Sequence, residues 1–465
     1  MVATGVRVRP SGISRRSDPS SGTGRTVLLV DYQFPPIAGS GVQRTMSYAT
    51  HLRGLGWTPI VLTVREGEHG FHDTSMLGRI PAGVEVHRTA AVEPVRLAKR
   101  LVARRLRGAW DYGARSGRPL LRSPRWVALE RWVFFPDRHL GWLPFGLARA
   151  LAICRRRSVD VVHSTSTAIT SHLIAYALKK TLGTPWIADF QDPWVDNPLP
   201  IFPSRVHRRL ARVIESKIMH AADRVTVTTG AHREFLCEKF PALARKFVAI
   251  PIGFDAAAFG GVRPRRSEKF TVAHFGAFYG TRSPAAFLAA LTGAMQASEE
   301  LARDVEVWFF GTFDAAALAV VEEAKRVHGL EHIVRVHGVV PYREAVGAMV
   351  SADVLLLVHT RGLWGEKLVT SKVFEYLGAG RPILALTPPG ETARIIGRAG
   401  AGIVVEPGDV GAIRDAILGL YARWRGGRLD APPTRRVADE YSWRRVTARF
   451  AAVLDDVVSP TRSCP

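Results

Sequence analysis

The chain has 465 residues, 47% hydrophobic and 23% charged, which excludes a disordered protein and exceeds what one ordinary core can organise. Net charge is +23, yet no apolar run reaches the roughly 18–20 residues that span a bilayer. Three scattered cysteines (Cys154, Cys237, Cys464) form no CxxC pair, which argues against a disulfide framework or structural zinc and for a reducing, cytoplasmic setting.

Residues 1–25 are rich in Ser, Gly and Arg and lack the apolar core of a secretory signal, so they read as a basic tail. From residue 26, short apolar runs alternate with amphipathic stretches, the pattern of a parallel sheet with crossover helices. Strands are predicted at 26–32, 59–64 and 84–88, with a Pro/Gly loop at 33–41 and a helix at 42–54. Further strands follow at 159–164, 185–190, 224–229 and 248–251, with helices at 168–182 and 204–222. The stretch GGVRPRRS, 260–267, reads as a linker. A second series then offers strands at 271–275, 305–310, 334–337, 353–358, 383–386 and 403–406, with helices at 284–297, 314–328, 342–350 and 410–424 and one carrying Lys372 and Glu375. Pro432-Pro433 breaks the pattern before a last amphipathic helix at 442–457. The expected architecture is α/β, with two Rossmann-like doubly wound domains (26–255 and 268–431) facing each other across a cleft. In such sheets ligands bind at the carboxyl ends of the strands.

One segment departs from this alternation. Within a basic insertion at 92–157, residues 96–157 hold 16 Lys or Arg against three acids, interleaved with aromatics such as Trp110, Trp126, Trp132 and Trp142. Basic residues among aromatics suit an anionic membrane surface, and less well nucleic acid. An Arg-rich solvated helix face gives the same composition.

The most informative stretch is 366–385, EKLVTSKVFEYLGAGRPILA. A loop with Lys367, Thr370 and Ser371 leads into a helix carrying Lys372 and Glu375. A helix start offers free N–H groups and a positive dipole end to a phosphate, and Lys372 adds charge there. A carboxylate one turn in accepts two hydrogen bonds from vicinal hydroxyls such as those of a ribose. Arg282, on the loop after Gly276, is placed to clamp a diphosphate, although a surface arginine reads the same way. Gly39 and Gly41 open the first helix and permit close approach of an anion, or simply a tight turn. Asp189 and Asp192, in DFQDPW at a strand end, are candidates for acid–base work, against Asp192 serving as a turn cap before Pro193. His163 ends another strand and is either a substrate contact or a structural imidazole. No metal-ligand spacing, GxSxG or Walker A loop occurs, so a diphosphate would be met by cations and helix ends, with no cofactor or metal.

On the motifs PPIAGSGVQR, GTPWIADFQDPW, AIPIGFDAAAF, SKVFEYLGAGRPILAL and AGIVVEPGD, residues 26–458 resemble the family 4 glycosyltransferases of GT-B architecture. The DFQDPW form is similar to a subgroup that builds surface polysaccharides. The resemblance implies a nucleotide-sugar donor in the second domain, retention of anomeric configuration, no metal, and a last helix (432–458) crossing back to the first domain. It assigns Glu375 to the ribose, Arg282 and Lys372 to the diphosphate, and Gly39 and Gly41 to the donor-facing loop. The Asp189–Asp192 loop stands where many members carry an active-site His. Three positions depart from the family pattern: Lys367 replaces the first of two glutamates, Ala277 an arginine, and Ile252 the Asn of a PNG turn.

The expected activity is hexosyl transfer from a nucleotide diphosphate sugar to a glycan or lipid-linked acceptor. A nucleotide-sugar epimerase, or a non-enzymatic binder of membrane or nucleic acid, are the alternatives. Deleting residues 96–131 is expected to reduce sedimentation with anionic vesicles; equal pelleting would remove the membrane role of the insertion.

Overall fold

The computed structural model describes residues 24–37, 40–65, 72–92, 131–166, 168–197, 202–265, 267–359, 363–429 and 435–459. The predicted tail up to residue 23, most of the basic insertion, and Gly39 lie outside the described residues.

Seven strands make the first sheet: β1 (Arg25–Val30), β2 (Trp57–Val64), β3 (Glu85–Thr89), β4 (Val161–Ser166), β5 (Trp186–Phe190), β6 (Arg224–Val227) and β7 (Phe247–Ala249). They are all parallel, in the order β3-β2-β1-β4-β5-β6-β7. The helices of this half are α1 (Ser40–His51), α2 (Leu143–Arg156), α3 (Ile169–Leu182), α4 (Arg205–Ala221) and α5 (Gly230–Lys239). Strand periodicity builds two cores. Leu28 and Val30 join Val162, Trp186 and the α2–α4 side, whereas Val27 and Leu29 join Val161, Ile187 and the α1 side.

The second sheet holds β8 (Phe270–Phe275), β9 (Val305–Phe310), β10 (Val334–Gly338), β11 (Val354–Val358), β12 (Ile383–Leu386) and β13 (Gly402–Val405). It too is parallel, in the order β10-β9-β8-β11-β12-β13. Its helices are α6 (Ala256–Phe259), α7 (Ala285–Ala297), α8 (Glu299–Asp304), α9 (Ala315–His328), α10 (Tyr342–Ser351), α11 (Leu363–Lys367), α12 (Lys372–Ala379), α13 (Glu391–Ala399), α14 (Val410–Arg425) and α15 (Arg435–Glu440). The fold is therefore two Rossmann-like domains. Their switch points lie between β1 and β4 and between β8 and β11, where diverging loops open a crevice for ligands.

A final helix, α16 (Trp443–Val458), lies on the first sheet against α1. Phe450 stacks on Tyr48 at 4.1 Å, and Asp455 accepts from Trp57 Nε1 at 3.0 Å. The chain thus crosses between domains twice, and the two crossings are paired. Phe254 N donates to Tyr441 O at 3.0 Å and Trp443 N to Phe254 O at 2.9 Å. This pairing puts the boundary near residue 254, ahead of the predicted linker at 260–267, because α6 already packs on α10 and α12 of the second domain.

Phe450 is fully buried, so Phe450→Ala is expected to cost about 3–5 kcal/mol through the cavity it leaves. Thermal unfolding checks this; a shift under a degree would show that α16 merely rests on the first domain.

Candidate active site

The floor of the second domain's crevice is bare backbone. Gly276, Gly311 and Gly338 fall at the carboxyl ends of β8, β9 and β10, with φ of 151°, 127° and 71°. Gly276 N donates to Phe310 O at 2.9 Å, and Gly311 N to Gly338 O at 2.7 Å. A Cβ on Gly311 would stand 1.7 Å from Gly276 O, so the two loops meet only without side chains there. Gly311 and Gly338 were missed in the sequence, although a glycine closing three successive apolar runs is a readable signal.

The loop after β8 is held by its neighbour. Phe278 N donates to Thr312 O at 2.9 Å, Asp314 N to Phe278 O at 3.0 Å, and Gly280 N to Asp314 Oδ2 at 2.9 Å. This brace presents Arg282, whose guanidinium lies 5.2 Å over Tyr279 and whose buried Nε has no protein partner. On the other side of the switch point, Lys372 and Glu375 occupy the first turn of α12 and bond each other at 2.6 Å. Ser371 precedes them as N-cap with no side-chain capping bond, and Thr370 is half-buried beside it. Tyr376 fixes this helix to the sheet: its hydroxyl accepts from Phe275 N at 2.9 Å and donates to Leu356 O at 3.2 Å.

Beneath these groups lies His274, which the sequence reading missed. Burial pushes its pKa down to about 3, with Arg282 and Lys372 both adding to the effect. Its Nδ1 bonds Leu356 O at 2.9 Å, leaving Nε2 buried without a partner. Arg282 follows β8 and Lys372 follows β11, so the two cations flank the switch point between those neighbouring strands.

In the facing domain, Asp192 stands on the loop that follows the carboxyl end of β5. Its side chain is exposed to solvent. Crowding raises its pKa and the Arg282 charge lowers it, with a net rise. Other contacts close over the gap. Thr229 Oγ1 donates to Lys367 O at 3.0 Å, and Arg79 lies 5.0 Å over Tyr342 while paired with Asp255.

Three expectations need correction. Asp189 is fully buried and takes a bidentate bond from Arg44 (Nε and Nη2, both 2.8 Å) plus hydroxyls of Thr165 (3.0 Å) and Thr226 (2.5 Å). Burial alone would raise its pKa, but Arg44 overrides this and lowers it. With its lone pairs taken, it cannot act as a base. His163 is likewise buried, edge-on to Tyr48 (5.6 Å) and Phe450 (4.8 Å), and desolvation drives its pKa to about 4. It packs against Phe450 of α16 inside the first domain's core. Lys367 ends α11 instead of lying in a loop, and its ammonium sits 5.0 Å over Phe235 of the first domain rather than beside Lys372. Gly41 lies in the first turn of α1, where a Cβ would come within 2.5 Å of Gln33 Oε1.

Among the described residues no group of three His, Cys, Asp or Glu side chains could hold a metal, and no helix is long and apolar enough to cross a membrane.

Two facing Rossmann-like α/β domains, each a parallel sheet with a switch point, define the GT-B class of fold. The sequence matches the family described as Glycosyl transferase 4-like domain over residues 39–253, and that described as Glycosyl transferases group 1 over residues 269–423. The chain belongs to the GT-B-type glycosyltransferases. No curated protein matches it. Among solved structures it is similar to a glycosyltransferase from Rickettsia africae ESF-5 (13% identity, TM-score 0.61, covering 95% of this chain and 100% of that one). Anabaena Alr3699/HepE in complex with UDP-glucose gives 13%, 0.61, 93% and 99%. WaaG, a glycosyltransferase involved in lipopolysaccharide biosynthesis, gives 14%, 0.58, 92% and 99%.

Asp189→Ala is expected to cost about 3–5 kcal/mol, because Arg44 would be left buried and unpaired. Since the folded-state pKa lies below the ordinary 3.8, this stabilisation is present above that value and is lost as pH falls through the lower one. Asp192→Asn should leave the melting temperature within a degree or two of wild type while lowering turnover. Equal melting of the two variants would reverse their assigned roles.

Proposed function

We propose that the enzyme transfers a hexosyl unit from a nucleoside diphosphate sugar to an acceptor hydroxyl, on a glycan precursor or lipid-linked sugar, with retention of configuration and without a metal. The observation that supports this reading is the placement of Arg282 after β8 and of the Lys372–Glu375 pair after β11, on either side of their switch point, with Asp192 on a strand-end loop of the facing domain. In the free enzyme Lys372 and Glu375 satisfy each other. A donor would separate them, its phosphate taking the ammonium and its ribose diol the carboxylate.

During transfer the bond from the anomeric carbon to the diphosphate oxygen breaks, and a bond to the acceptor oxygen forms. Negative charge grows on the departing diphosphate. Arg282, Lys372 and the α12 N–H groups therefore hold the transition state more tightly than the bound donor. The acceptor proton passes to Asp192, whose raised pKa suits a base. Closure of the two domains excludes water from this step and so limits hydrolysis. A solved neighbour holding UDP-glucose supports a sugar nucleotide of this class. The acceptor class rests on the resemblance to polysaccharide-building members and on WaaG. The basic insertion would hold the enzyme peripherally on the inner face of the plasma membrane, where lipid-linked sugars are met.

Glu375→Ala is expected to weaken donor binding on the order of tenfold to a hundredfold, the loss of charge-assisted hydrogen bonds, with unchanged melting. Calorimetry against a panel of nucleotide sugars reads this directly; unaltered affinity would refute the ribose role. Donor conversion in the absence of acceptor would favour an epimerase.

A further inference from the structure

Helix α4 carries two apolar faces where a surface helix needs one. Ala211, Ile218 and Met219 are buried against the first domain. On the opposite side, Val206, Leu210 and Val213 recur at spacings of four and three, and are 60%, 48% and 51% exposed. Arg205, Arg208, Arg209, Arg212 and Lys217 are exposed around them. The helix's single acid, Glu215, is buried and paired with Lys239, so the outer face is wholly cationic. Beside it stand Trp132 and Val133, at 55% and 61% exposure. Trp132 packs edge-on against His207 of α4 at 4.9 Å, and its carbonyl meets His207 Nε2 at 3.4 Å.

We propose that this outer face of α4, with Trp132 and Val133, is a docking surface for an anionic lipid bilayer. Charge complementarity selects the occupant. A protein interface depletes charge at its centre, whereas this stripe is threaded with arginine. A nucleic acid would use the cations but gains nothing from exposed valines and leucine. An anionic bilayer uses everything present: aliphatics enter the acyl boundary, Trp132 suits the headgroup level, and arginine stems lie along the apolar stripe with their charges at the phosphates.

The surface is also suitably placed. Because β5 and its neighbours are parallel, α4 starts at the carboxyl end of the sheet, just after the loop bearing Asp192. A bilayer along α4 lies beside the cleft mouth, where a lipid-linked hydroxyl would enter. Only that purpose rests on the proposed transfer; the docking stands without it.

The test is co-sedimentation of the full chain, without donor, using phosphatidylcholine vesicles with and without phosphatidylglycerol. Val206→Ser/Leu210→Gln/Val213→Ser is expected to lower partitioning into anionic vesicles by about tenfold or more. Its melting temperature and calorimetric donor affinity should not change, since these side chains already lie in water. Arg205→Glu/Arg209→Glu, which leaves the aliphatics in place, should weaken the preference for phosphatidylglycerol, the basic insertion retaining the rest. Unchanged pelleting of both variants would overturn the proposal. So would equal pelleting of wild type with pure phosphatidylcholine, or a wild-type dimer that the triple variant converts to monomer. Loss of donor affinity with pelleting intact would sink the transfer reading instead.

Discussion

Arg44 holds together three parts of the first domain that the site needs in register. From inside α1 its guanidinium donates twice to Asp189 at the end of β5, and from Nη1 to the carbonyls of Ile250 (3.1 Å) and Pro251 (3.0 Å). Those carbonyls begin the first crossing between domains. Replacing such a buried pair with apolar groups is often neutral in stability, so its contribution here is one of orientation. It fixes where β5 ends and thus where Asp192 stands, three residues later. It also ties the interdomain strand pair at Phe254 to the same point. Asp189 is in effect the anchor of the loop that carries Asp192.

This arrangement explains which parts were legible in sequence. Strand and helix periodicity depends on local burial, so the alternation of β1–β13 with crossover helices could be read and the two-domain fold followed. Helices α5 and α13 were missed. In α5, GAHREFLCEK, polar residues mask the apolar stripe; α13, ETARIIGRA, is short and bounded by glycines that resemble a loop. The role of a polar residue at a strand end is a different matter. Asp189 and Asp192 look equivalent in DFQDPW, and only a partner 145 residues away decides that one is buried and bonded while the other faces solvent. His163 was ambiguous for the same reason, since Phe450, which covers it, arrives from the far end of the chain.

The placement of Arg282 and Lys372 was easier to read because backbone geometry, rather than distant packing, presents them. The glycine strand ends leave room for a ligand, and the loop after β8 and the start of α12 flank the switch point that strand order defines. Lys367 shows the limit of this logic. It lies five residues before Lys372, yet α11 turns it toward Phe235 across the cleft.

The charges on Arg282, Asp192, Lys372 and Glu375 are balanced in part between the domains. Arg282 lowers the pKa of Asp192 against the effect of crowding, and Lys372 is neutralised by Glu375. A diphosphate entering between Arg282 and Lys372 would draw both cations to itself. Asp192 would then lose the influence that restrains its pKa, and its affinity for a proton would rise just as an acceptor hydroxyl needs to lose one. On the proposed donor reading, binding would thereby prime Asp192 electrostatically. Such priming requires that Asp192 have no fixed cation of its own, which is what the pairing of Arg44 with Asp189 ensures.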